Sequence, residues 1–104
     1  MTCSFVYDNR LGIKLPELED TWEDYSKYTQ ESILSKWESI RGTIPDRIKD
    51  IEEEINNKQE QLNAEENFER SCQLNSDIAD LASVINDLWI WYRTQNHVSL
   101  KVHH

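Results

Sequence analysis

Between Leu74 and Tyr92, apolar residues return at Leu74, Ile78, Leu81, Ile85, Leu88 and Tyr92. Steps of four and three are the spacing of one face of an α-helix, kept here for about five turns. Beside this stripe runs a second at the same spacing: Phe68, Cys72, Asn75, Ala79, Ala82, Asn86 and Trp89. Together they make a face wider than a two-stranded seam requires, so the helix is expected to be covered on two sides.

Upstream, Trp22, Tyr25, Thr29, Ile33, Trp37 and Ile40 describe another helical face, closed by a basic residue and a glycine, Arg41-Gly42. Asp20-Thr21-Trp22-Glu23 has the form of a capping box, which places the start of this helix at Asp20 or Thr21. Thr43-Ile44-Pro45-Asp46 supplies the next start, with Thr43 as N-cap and Pro45 in the first turn, where its missing N–H costs nothing. Ile44, Ile48, Ile51, Ile55 and Leu62 then hold one face that thins out as it proceeds.

Residues 56–67 are almost wholly polar yet contain neither Gly nor Pro, so residues 45–93 read either as one helix of nearly fifty residues or as two that reverse between Gln59 and Asn67. The apolar frame on either side differs by a shift that no single insertion of three or four residues produces, which favours a reversal, with Asn63-Ala64-Glu65-Glu66 as a further capping box. The N-terminal run Thr2–Tyr7 has β-branched and aromatic content but no evident intrachain partner. It is therefore expected to lie as an extended arm across the helices; as a strand it would have to pair with a second copy or a partner protein.

The fold expected is all-α: a three-helix bundle built on a long antiparallel helical hairpin, with an extended N-terminal arm, all in a single domain. The arm is residues 1–19, the helices are 20–41, 44–61 and 64–94, and the tail is 95–104, with helix one returning against the Trp-rich half of helix three.

Composition narrows the function more than the fold. Twenty acidic against eleven basic residues give a net charge of −9, which repels phosphate backbones and anionic lipid, so neither nucleic acid nor membrane is an expected partner. No apolar run is long enough to span a bilayer and the first residues lack the order of a signal peptide, so the chain is expected in the cytosol, with Cys3 and Cys72 as free thiols.

Chemistry is sparse. Glu66 with Glu69 and Asp77 with Asp80 are spaced as carboxylates that share a helix face, as in Mg²⁺-dependent helical enzymes, but solvated charge is the favoured reading. His97, His103 and His104 all sit in the tail, where nothing positions a general base, and Gly12 and Gly42 make no phosphate-binding loop. No catalytic residue, metal or cofactor is expected.

Leu88-Trp89-Ile90-Trp91-Tyr92 is the densest apolar cluster, and five neighbours 100° apart cannot all face one core. Ile90 and Trp91 fall outside both stripes. Either the N-terminal arm covers them, or a second subunit or another partner does. A small acidic cytosolic interaction module, an adaptor or regulator, is therefore expected, homodimeric through Trp89, Ile90, Trp91 and Tyr92. The alternatives are an acidic inhibitor occupying a basic or nucleic-acid-binding site on a target protein and, least favoured, a Mg²⁺-dependent hydrolase.

Overall fold

A computed structural model describes residues 3–93. The tail and its three histidines lie outside the described residues. In chain order the elements are β1 (Cys3–Asp8), β2 (Ile13–Leu18), a single 3-10 turn (Trp22–Asp24), α1 (Lys27–Arg41), α2 (Ile44–Ala64) and α3 (Phe68–Tyr92). The molecule is mostly helical, with two long helices that form the expected helical hairpin, an N-terminal arm, and a short antiparallel two-stranded sheet.

The N-terminal arm is a β-hairpin: β1 finds within the chain, in β2, the strand partner that the sequence pattern does not reveal. Antiparallel pairing runs from Cys3 opposite Leu18 to Asp8 opposite Ile13. The loop Asn9–Gly12 is closed by the Gly12 N–H donating to the Asp8 carbonyl at 2.8 Å and the Leu11 N–H donating to the Asp8 carboxylate at 2.8 Å. Gly12 takes φ 77°, a conformation that disfavours any residue with a Cβ. A Cβ there would also run into the Arg47 guanidinium, whose Nε donates to the Leu11 carbonyl at 2.9 Å and so ties the hairpin to α2. Pro16, opposite Phe5, is tolerated because the two-stranded sheet makes β2 an edge.

Helix one begins six residues later than the capping box suggested. Thr21 and Asp24 bond to each other, side chain to side chain at 2.6 Å, within the 3-10 turn. Tyr25 then interrupts any continuous helix: it is extended and buried, and its hydroxyl accepts the N–H groups of Glu19 and Asp20. The N-cap is Ser26, whose Oγ accepts from the Thr29 N–H at 3.1 Å. α1 ends at Arg41 and α2 starts at Ile44, where the sequence puts both boundaries. Thr43, however, caps nothing: its hydroxyl donates back to the Ile40 carbonyl at 2.7 Å.

The polar stretch reverses, as the shifted apolar frame requires. α2 runs to Ala64, and the N-cap of α3 is Asn67, not Asn63; its Oδ1 accepts from the Arg70 N–H at 2.9 Å. Helix two thus extends past residue 61, and helix three is shorter than 64–94 at both ends.

The main core gathers Leu11 and Ile13 from the hairpin, Trp37 from α1, Ile44, Ile48 and Ile51 from α2, and Val84 and Leu88 from α3. All of these lie in one half of the molecule. Beyond them α2 and α3 continue alone as a two-helix arm, which accounts for the elongated 59 × 22 × 19 Å envelope. Leu74 is fully buried in this arm, between the Lys58–Asp77 ion pair (3.5 Å) and the hydrogen bond from Arg70 to Gln61 (3.2 Å).

Candidate functional site

Because α1 and the hairpin cover one flank of α3 in the head, the side they choose decides what α3 presents to solvent. They pack on the flank that carries Val84, Leu88 and Trp91, again at four-three spacing. This corrects the expectation that the second stripe is buried. Phe68, Cys72, Asn75, Ala79, Ala82, Asn86 and Trp89 are all exposed, and the aromatic ends are the conspicuous cases, with Phe68 at 79% and Trp89 at 37%. Cys72 is an exposed free thiol and not a buried small hydrophobe.

The face so exposed is about six turns long. Ser76 and Ser83 flank it on one side, and Ile78 and Ile85, half-buried in the core seam, on the other. It contains no charged residue from Phe68 to Trp89, although charged residues are 30% of the chain. The acids and the arginine of the same helix, Glu69, Arg70, Asp77, Asp80 and Asp87, all fall on other faces. One corner is held by the hairpin loop, where Arg10 bonds Asp87 and the Ser83 hydroxyl, each at 2.7 Å.

Of the four residues expected at an interface, only Trp89 is exposed; Ile90, Trp91 and Tyr92 are half-buried. The Trp91 ring meets that of Trp37 edge to face at a centroid separation of 5.4 Å, which gives it cover within the chain. Tyr92 is crossed by the Arg41 guanidinium at 4.7 Å and meets Trp89 edge to face at 5.4 Å. The end of α3 is thereby fixed, because Arg41 also donates to the Tyr92 carbonyl and pairs with Glu38 at 2.9 Å. That pairing holds the Glu38 carboxyl below its ordinary range and raises Arg41.

The carboxylates considered for a metal do not come together. Glu66 precedes α3 and so shares no helix face with Glu69, and Glu69 lies about 12–17 Å along the helix axis from Asp77 and Asp80, too far to share one ion with them. Among the described residues no three His, Cys, Asp or Glu side chains are grouped to hold a metal. Asp77 is already engaged: the Gln73 amide donates to it at 2.8 Å and Lys58 stands at 3.5 Å, and these contacts, Gln73 foremost, pull its carboxyl down. A carboxyl depressed on folding stabilises the fold above its unfolded pKa, and the benefit disappears as pH falls through the folded one. Arm helicity should accordingly hold from neutral pH to about pH 4 and drop below it, and Asp77→Asn should flatten that acid limb. Hydrogen exchange against pH over residues 70–80 reads this directly; an unchanged acid limb in the variant would show that Asp77 contributes nothing.

One open concavity, about 460 Å³, lies where the hairpin meets α1, with Ile13 and Ile40 in its lining and Lys14 and Lys36 as its charged groups. Lys36 is already placed over the Phe5 ring at 5.5 Å. Among the described residues no helix is long and apolar enough to cross a membrane. No protein-family model, curated protein or solved structure matches the chain.

Proposed function

We propose that this protein is a small acidic interaction module, an adaptor or regulator, whose working surface is the outward face of α3. The observation that carries the proposal is the uncharged stripe from Phe68 to Trp89, exposed in a chain so rich in charge. Exposed Phe and Trp at the ends of a stripe of small residues give a partner helix two anchors and a close backbone approach between them. Of the expected interface quartet, Trp89 belongs to this surface, Ile90 and Tyr92 flank it, and Trp91 packs on Trp37 on the core side of the helix.

A photoreactive side chain at position 79, on the stripe, is expected to give discrete, saturable cross-links in extract of the native host, whereas the same group at position 53, on the exposed acidic side of α2, gives none. Unlabelled wild type should compete them away and Ala79→Glu should not. Equal labelling from both positions would remove the surface from consideration.

A second reading is favoured by the distribution of charge. Residues 52–80, the arm, carry nine acids against two bases, so most of the net −9 resides on the projecting part. Such an arm suits insertion into a basic site of a target protein, and binding of that kind weakens steeply with salt. An affinity for a basic target unchanged between low and high ionic strength would exclude it.

A further inference from the structure

We infer that the partner of the outward face of α3 is α3 of a second copy of this chain, packed antiparallel about a two-fold axis that passes between Asp80 and Leu81. The inference rests on the proposal that this face is the interaction surface and adds its occupant, direction and register.

The stripe continues beyond Trp89 to Arg93, so the exposed residues at four-three spacing are Phe68, Cys72, Asn75, Ala79, Ala82, Asn86, Trp89 and Arg93. Two such helices can meet in parallel or antiparallel, and charge separates the alternatives. At the Phe68 end lie Glu65, Glu66 and Glu69; at the other end lies Arg93. Parallel packing sets acids against acids, whereas antiparallel packing sets each acidic tip beside the other copy's Arg93.

Register follows from matching the layers. With the axis between Asp80 and Leu81, Ala79 of one copy faces Ala82 of the other, Asn75 faces Asn86, Cys72 faces Trp89, and Phe68 faces Arg93. Each layer is then complementary. The alanines allow close approach, the two carboxamides can satisfy each other's donors and acceptors, the small thiol leaves room for the indole, and a guanidinium over a phenyl ring is a cation–π pair. Sliding by one heptad to bring Asn75 against Ala79 and Phe68 against Asn86 leaves all four amides of the pair opposite apolar side chains, which disfavours it. The positions flanking the seam are Ser76, Ser83 and Ile90 on one side and Ile78, Ile85 and Tyr92 on the other, so the charges beside the contact are Glu69 and the mutually neutralising Arg10–Asp87 pair, whose guanidinium also holds the Ser83 hydroxyl.

One helix per copy over a length of about 37 Å buries on the order of 1,000 Å², near the lower limit for a specific interface. Dimerisation is therefore expected at micromolar concentrations or above, and because both arms are acidic it should tighten as salt is raised from 50 to 500 mM, on the order of several-fold.

Sedimentation of the purified full chain from about 5 to 500 µM should show a monomer–dimer equilibrium, weakened about a hundred-fold or more by Ala82→Glu, which places two unpaired carboxylates in the seam. Circular dichroism of the variant should be unchanged, since Ala82 is exposed. Register is read by disulfide trapping in a Cys3→Ser, Cys72→Ser background. A mixture of Ala79→Cys and Ala82→Cys chains should cross-link quickly and each chain alone slowly. Fast cross-linking of each alone means parallel packing and overturns the arrangement. A wild type monomeric at the highest concentration overturns the second copy as partner, and the position-79 labelling in host extract then shows separately whether the surface binds anything else.

Discussion

Trp37→Ala should unfold much of the molecule or leave it barely stable. Trp37 is fully buried, and it lies at the one place where the hairpin, α1, α2 and α3 all contribute to a single cluster, with the Trp91 ring against its own. Truncating a buried tryptophan costs about 3–5 kcal/mol, and domains of this size are stable by only about 5–15 kcal/mol. The side chain carries a burden as well: its indole N–H is buried with no hydrogen-bond partner. An unsatisfied buried donor costs about 1–3 kcal/mol, so Trp37→Phe, which deletes it, should lose less than half of what the alanine variant loses. Urea unfolding followed by circular dichroism measures both. An alanine variant within about 1 kcal/mol of wild type would mean that the four elements are held together elsewhere, because that loss is no larger than a typical surface-to-core average.

What could be read in the sequence depended on whether a boundary was marked by a local residue or by a distant contact. Arg41-Gly42 and Ile44-Pro45 are local signals, and the helix end and start fall there. The reversal between α2 and α3 was legible from the broken apolar frame, although its cap, Asn67, lies four residues past the more conspicuous Asn63. The β-hairpin was hidden because Ile13-Lys14-Leu15-Pro16-Glu17-Leu18 is an unpromising strand: it contains a proline and buries Ile13 and Pro16, three apart, where alternation would put them two apart. The late start of α1 depends on the Tyr25 hydroxyl bonding to Glu19 and Asp20, which no helical pattern reveals.

The exposure of the outward face of α3 is hidden in the sequence for a related reason. Periodicity identified two stripes on α3 beyond doubt but could not say on which side of the first the rest of the chain would settle. Val84 and Trp91, interspersed with polar residues, gave no stripe of comparable length, yet they lie on the side that Trp37 fills. Once that flank is taken, Ala82, Asn86 and Trp89 are left outside. The same pattern that suggested a wide core thus describes a core seam and an external seam side by side on one helix.

Leu74→Ala should separate the two halves of the molecule. Leu74 is fully buried but stands outside the cluster built around Trp37, so its packing stabilises the arm and not the head. Its truncation costs about 2–5 kcal/mol, and two helices continuing alone, with Asn56, Asn57 and a run of acids on their surface, have little other apolar contact to offset that loss. Far-UV circular dichroism should show helix lost, and amides of residues 56–80 should exchange rapidly. All four tryptophans, Trp22, Trp37, Trp89 and Trp91, lie on or against the head, so the fluorescence unfolding midpoint should scarcely move. Coincident loss in both probes would instead make head and arm one cooperative unit. Dimerisation links this result to the proposed seam: Phe68 and Cys72 are on the arm and Trp89 and Arg93 on the head, so an arm that frays removes the outer layers at both ends of the two-fold contact. Leu74→Ala should therefore weaken self-association without touching the seam, and raising the protein concentration should restore part of the lost helix.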